Sequence, residues 1–121
     1  MTDIGMIEAM EKAADYIVES GHFGKGRFFV SPGCHCTLGA YALGLGARFD
    51  EDGLMNFGDE NAEASRRRDL WNVGWLELNR SVKSYGFGAV QSMNDEPETT
   101  AEQMAGVLRE TAARLRGDAD D

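Results

Sequence analysis

Ser31-Pro32-Gly33-Cys34-His35-Cys36-Thr37-Leu38-Gly39-Ala40-Tyr41-Ala42-Leu43-Gly44 holds both cysteines of the chain and one of its two histidines. Ser31 before Pro32 reads as an N-cap followed by proline at the first helical position. The stretch therefore predicts a helix from Pro32 to Gly44 or Gly46, with Cys34, Leu38, Tyr41 and Leu45 on one face. Each interior glycine costs about 1 kcal/mol relative to alanine. Such a helix needs tertiary packing to hold it, which argues for burial. A thiol at its start feels unpaired N–H groups and the positive end of the helix dipole, and both favour thiolate. Two cysteines one residue apart would close a small, strained ring, so free thiols are expected.

Working outward, Met6, Met10, Ala13, Ala14 and Ile17 recur at three- and four-residue steps, with Ile7 and Val18 widening the stripe, and predict a helix over 3–20. His22-Phe23-Gly24-Lys25-Gly26 reads as a loop, and Arg27-Phe28-Phe29-Val30 as a short extended segment. Asp50-Glu51-Asp52-Gly53 is an acidic turn whose glycine arrives too early for an EF-hand, which disfavours calcium. The longest helical pattern runs from Asp59 to Ser84, with Leu70, Trp71, Gly74, Trp75, Leu78 and Val82 along one stripe. Residues 89–93 read as extended, leading into an Asn94-Asp95-Glu96-Pro97 turn. Thr99 and Glu102 suggest a capping box for a last helix carrying Met104, Val107, Leu108, Thr111, Ala112 and Leu115 inward and closing at Gly117. The fold expected is mainly α, a bundle of about four helices with one or two short extended segments, α+β being the alternative. Residues 1–117 would form a single domain and 118–121 an acidic tail.

Twelve basic against twenty-one acidic residues give the 121-residue chain a formal charge of −9. Direct binding along a phosphate backbone is electrostatically disfavoured. The first residues lack the basic and apolar regions of a secretory signal, and no apolar run approaches the length of a membrane span, so a cytoplasmic protein off the membrane is expected.

Three constellations could carry chemistry. A cysteine hydrolase or transferase would use Cys34 or Cys36 as nucleophile, His22 or His35 as base, and Asn94 or Asp95 as the orienting group. Against it stands the ordinary role of buried cysteines as small hydrophobes. A zinc site would draw on the same cysteines and histidines, but Cys-x-Cys with an intervening histidine crowds three donors into one turn. Neither a metal nor a cofactor is expected. Lys25 between Gly24 and Gly26 could hold a small anionic ligand such as a nucleotide, although the Walker spacing is absent. For binding, Trp71 and Trp75 stack on one helical face and Phe28 and Phe29 adjoin a loop; any of these aromatics that is exposed would mark a partner surface.

Three segments in order carry a family resemblance: His22-Phe23-Gly24-Lys25-Gly26, then Cys34-His35-Cys36-Thr37-Leu38-Gly39-Ala40, then Met93-Asn94-Asp95 with Thr99, Thr100 and Glu102. Their order resembles an uncharacterised family of small actinobacterial and actinobacteriophage proteins known as a domain of unknown function. Met93 departs from the tryptophan usual there, and the middle of the chain lies outside these segments. The resemblance implies a phage or actinobacterial accessory protein, in a host cytoplasm if phage-encoded, and carries over no catalytic residue. The expected function is non-catalytic binding of a host or self protein, a homodimer included, through an aromatic-centred surface.

Overall fold

The computed structural model describes residues 4–19, 22–26, 29–31 and 34–120. Their order is α1 (Ile4–Ile17), β1 (Phe29–Ser31), β2 (Cys34–His35), α2 (Thr37–Gly44), β3 (Arg48–Phe49), β4 (Met55–Asn56), α3 (Ala62–Val82), a 3-10 turn (Lys83–Tyr85), α4 (Val90–Asp95) and α5 (Ala101–Asp120). The chain is mainly helical, as its periodicity predicts. The strands form two separate antiparallel pairs, β1 with β2 and β3 with β4.

The core lies where α1 meets α5 and α2, its two most extensive packing partners. All five residues of the α1 stripe are buried, and so is every inward residue named for α5. A fully buried Ile or Met side chain contributes about 1.5–3 kcal/mol, so Ile7, Met10, Ile17 and Met104 anchor this contact. Val18 falls beyond the end of α1 and is partly exposed. The buried Thr111 hydroxyl is satisfied by the Val107 carbonyl at 2.7 Å and by Ser81 at 2.6 Å, the latter tying α5 to α3.

Two glycines set interhelical distances. A Cβ at Gly44 would come within 2.6 Å of the Ala9 carbonyl oxygen, so α2 approaches the backbone of α1 only because position 44 has no side chain. A Cβ at Gly74 would overlap the ring and hydroxyl of Tyr41. That buried Tyr41 hydroxyl donates to the Leu70 carbonyl at 2.6 Å, and the Trp71 indole N–H donates to the Leu38 carbonyl at 3.0 Å.

Several boundaries differ from the sequence reading. The helix expected from Pro32 begins at Thr37; Cys34 and His35 form β2, and Pro32 and Gly33 lie outside the described residues. Cys36 has extended backbone angles and its sulfur accepts the Gly39 N–H, which makes it the N-cap. The Asp59 start moves to Ala62, because Asn61 caps α3 through the Ala64 N–H at 2.9 Å. Residues 90–95, expected to be extended as far as Met93 and a turn from Asn94, are helical: Asn79 on α3 accepts the Val90 N–H at 2.7 Å and starts the turn from outside. The capping box is Thr100 with Gln103, one residue later than expected. Thr99 stays outside α5 because its N–H bonds to the Glu96 carbonyl at 3.0 Å and its carbonyl to Lys25. Helix α5 continues past Gly117 to Asp120. The acidic turn joins β3 to β4, with Asp50 accepting the N–H groups of Asp52 and Leu54, each at 2.9 Å.

Candidate functional site

The conspicuous cluster is the junction of the 22–26 loop, the start of α2 and the end of α4. Asn94, fully buried, sits at its centre. Its Oδ1 accepts the Thr37 N–H at 2.9 Å and the Thr37 hydroxyl at 2.6 Å, while its Nδ2 donates to the Gly24 carbonyl at 3.2 Å and to Asp95 Oδ1 at 3.0 Å. Asp95 Oδ1 also accepts the Gly26 N–H at 2.8 Å. Lys25 Nζ donates to the carbonyls of Glu96 and Thr99, the latter at 2.9 Å. The Asn-Asp pair thus fastens three segments far apart in sequence, and the Lys25 ammonium serves backbone carbonyls.

The histidines meet on the other side of the loop. The backbones of His22 and Gly24 bracket His35 in a parallel bridge, with two N–H···O bonds of 2.8 Å. Tyr16 from α1 stacks on His22 with ring centroids 4.5 Å apart, and its hydroxyl lies 2.8 Å from Nδ1 of the buried His35. Phe49 packs on His35 from β3, centroids 5.0 Å apart. His22 Nδ1 lies 3.1 Å from the Tyr16 carbonyl and 3.3 Å from a Glu19 carboxylate oxygen. Burial, and secondarily the proximity of His22, lower the His35 pKa and favour the neutral ring.

Cys36 is fully buried, and burial is the main cause that raises its pKa. The Gly39 N–H, the Gln91 side chain and the Leu38 N–H pull the other way, while the Asp95 carboxylate adds to the rise. Among the described residues no hydrogen bond joins Cys36 Sγ to His22, His35 or Asp95. The helix-start argument for a thiolate is overcome here by desolvation, and the sulfur works as a capping acceptor. Cys34 lies in β2 with its side chain outside the described residues; the same holds for the Phe29 side chain in β1, and Phe28 is outside them altogether. Among the described residues no group of three or more His, Cys, Asp or Glu side chains could hold a metal ion.

The tryptophans divide. Trp71 is only 6% exposed and belongs to the core, and Trp75 is half-buried edge-on against it with centroids 4.9 Å apart. The exposed apolar residues of α3 are instead Val73 and Leu76, at 48% and 65% exposure. A cleft of ≈310 Å³ beside α3 is lined by Gly46, Arg48, Asn56, Phe57, Gly58, Asp59 and Arg67. The sequence reading missed Tyr16, Thr37 and Asn79, whose partners are remote; a tyrosine on the flank of an apolar stripe was the one local signal, since its hydroxyl must find a partner at the edge of the core.

No curated protein and no solved structure matches the chain. A family model does match, over residues 1–114, and so takes in the middle segment that the three sequence motifs left out. With nearly its whole length matched, the chain belongs to the family of unknown function DUF6197.

Proposed function

We propose that the protein is a non-catalytic partner-binding domain, an accessory protein of the phage type, that works through the outward face of α3. The observation that carries this reading is the pair Val73 and Leu76, both exposed and one turn apart on a helix whose opposite face is already buried. Among the described side chains, Cys36 caps α2, Asn94 and Asp95 hold a loop, and Lys25 binds carbonyls, so each is engaged in structure. The binding surface thereby moves from the tryptophans to their outward neighbours. A photo-crosslinking amino acid at position 76, with exposed Glu102 as the control position, tests it in cells. A discrete adduct from position 76 alone is expected; equal labelling from both positions, or none, would overturn the reading.

The Arg48 and Arg67 cleft favours a second reading, binding of a small phosphate-bearing molecule. Arg48 has no ion-pair partner among the described residues, whereas Arg67 Nε donates to Glu63 at 3.1 Å, and Asp59 lines the same cleft. Titration with inorganic phosphate and with a nucleoside monophosphate, followed by chemical shifts, should move signals of residues 46–48 and 56–59, and an Arg48→Gln variant should lose the response. Unchanged spectra would eliminate this ligand class.

A further inference from the structure

We infer that the occupant of the α3 face is a second copy of this chain, with the two α3 helices antiparallel across a two-fold axis. This rests on the partner-binding reading and names its partner. Asp69, Val73, Leu76 and Arg80 follow one another at four- and three-residue steps, so at about 100° per residue they fall within an arc of about 60°. All four are exposed.

The strip reads as a palindrome in polarity, with charges of opposite sign at its two ends. Val73 and Leu76 are equidistant from the Gly74–Trp75 peptide, and so are Asp69 and Arg80. An antiparallel pair centred on that peptide sets Val73 against Leu76 of the second copy twice, and Asp69 against Arg80 of the second copy twice. At 1.5 Å per residue the two ion pairs sit about 16 Å apart and flank the apolar centre. A parallel arrangement would oppose Asp69 to Asp69 and Arg80 to Arg80, so charge selects the antiparallel, isologous one.

The charge pairing within one copy is incomplete at these same two residues. Glu77 serves two guanidiniums, Arg80 at 3.1 Å and Arg114 at 3.0 Å, and Arg114 also bonds the Glu77 carbonyl and Ser81. One carboxylate is thus shared by two arginines. Asp69 has no ion-pair partner among the described residues. Asp69 of the second copy gives Arg80 a carboxylate that it need not share with Arg114, and Arg80 in turn gives Asp69 a cation.

Two features limit the strength of the pair. Arg66 faces Lys83 of the second copy at each end of the strip, a like-charge contact softened by Glu63, 3.8 Å from Arg66. Each copy also carries a net charge of −9. A single pair of helices falls below the about 1,200 Å² of a standard interface, and the dimer is accordingly weak and concentration-dependent. Because α3 is already held by α5 and α2, little further ordering is needed.

Sedimentation equilibrium of the full chain, from about 10 to about 500 μM at physiological salt, reads the outcome as a micromolar-range dissociation constant. Wild type should show a monomer–dimer equilibrium and Leu76→Asp a monomer. Asp69→Arg and Arg80→Asp alone should each weaken association about tenfold, and the double swap should restore it. Circular dichroism checks that each variant folds; the changes lie on an exposed face. A wild type that stays monomeric to the top concentration, or a double swap as weak as the singles, overturns the self-pairing. An adduct from position 76 with the mass of one chain plus a different protein would also overturn it while supporting the partner-binding reading; a monomer without any adduct removes both.

Discussion

The side-chain oxygen of Asn94 accepts both the backbone N–H and the hydroxyl of Thr37, 57 positions earlier in the chain, at 2.9 and 2.6 Å. With its amide donating to the Gly24 carbonyl, one side chain joins α4, the first turn of α2 and the 22–26 loop. The Thr37 N–H is one of the orphan donors at a helix start, so Asn94 satisfies it from across the fold.

Asn94→Ala should therefore leave the Thr37 N–H and hydroxyl and the Gly24 carbonyl short of partners in a buried place. At about 1–3 kcal/mol for each unsatisfied buried group, a loss of about 3 kcal/mol is expected in urea unfolding. Asn94→Asp keeps the acceptor but loses the donor and sets a second carboxylate beside Asp95, so it should be destabilising as well. A loss below about 1 kcal/mol for the alanine variant would mean that water replaces the network.

Thiol chemistry gives a second test. In a Cys34→Ser background Cys36 is the single thiol, and burial both blocks access and holds its pKa up. Iodoacetamide at neutral pH should leave the folded protein unmodified on the timescale that fully labels it in denaturant. Rapid native labelling below neutral pH would point back to a thiolate nucleophile.

His35 predicts a pH dependence with a definite sign. The folded ring has a pKa below its ordinary value of 6.5, so the folded state binds fewer protons than the unfolded one. Its contribution is fully present above about pH 6.5 and is lost as pH falls from there toward the lowered value. Stability at pH 5.5 should be lower than at pH 7.5, and His35→Gln should flatten that difference while His22→Gln changes it less. Equal slopes in wild type and His35→Gln would assign the dependence to other groups.

Gly74→Ala places a methyl group on the Tyr41 ring, and Tyr41 is fixed by its hydrogen bond to Leu70. Overpacking of this kind costs about 1–3 kcal/mol and more where nothing can yield. A Tyr41→Leu change should recover part of the loss in the double variant, measured against each single change in thermal unfolding. Simple additivity of the two losses would show that α2 and α3 do not meet at this contact.

Much of the helical frame was legible in the residues. The stripes of α1 and α5 each bury one face, and 3.6-residue periodicity records such a face directly in the sequence. The errors fall where a remote group decides the local conformation. Residues 90–93 read as extended and Asn94-Asp95 as a turn, yet all six are helical, with Asn79 capping them from α3. Thr99 and Thr100 are equivalent as caps on paper, and Lys25 resolves them by holding the Thr99 carbonyl outside the helix.

The candidate chemistry shows the same division. Cys-His-Cys beside a helix start was visible, but whether a thiol there ionises depends on solvent, and the burial of Cys36 is a property of the whole packed core. The stripe of Trp71, Gly74 and Leu78 was readable from periodicity and is buried, yet its spacing alone did not show that Val73 and Leu76 outside it stay exposed between Asp69 and Arg80.

By itself, then, the sequence determined a mainly helical chain and its amphipathic stripes, because these depend on side-chain spacing along one segment. Only the tertiary structure decided that Asn94 is a strut, that Cys36 is a buried thiol, and that Gly44 and Gly74 sit at close approaches, because each depends on groups brought together from distant parts of the chain.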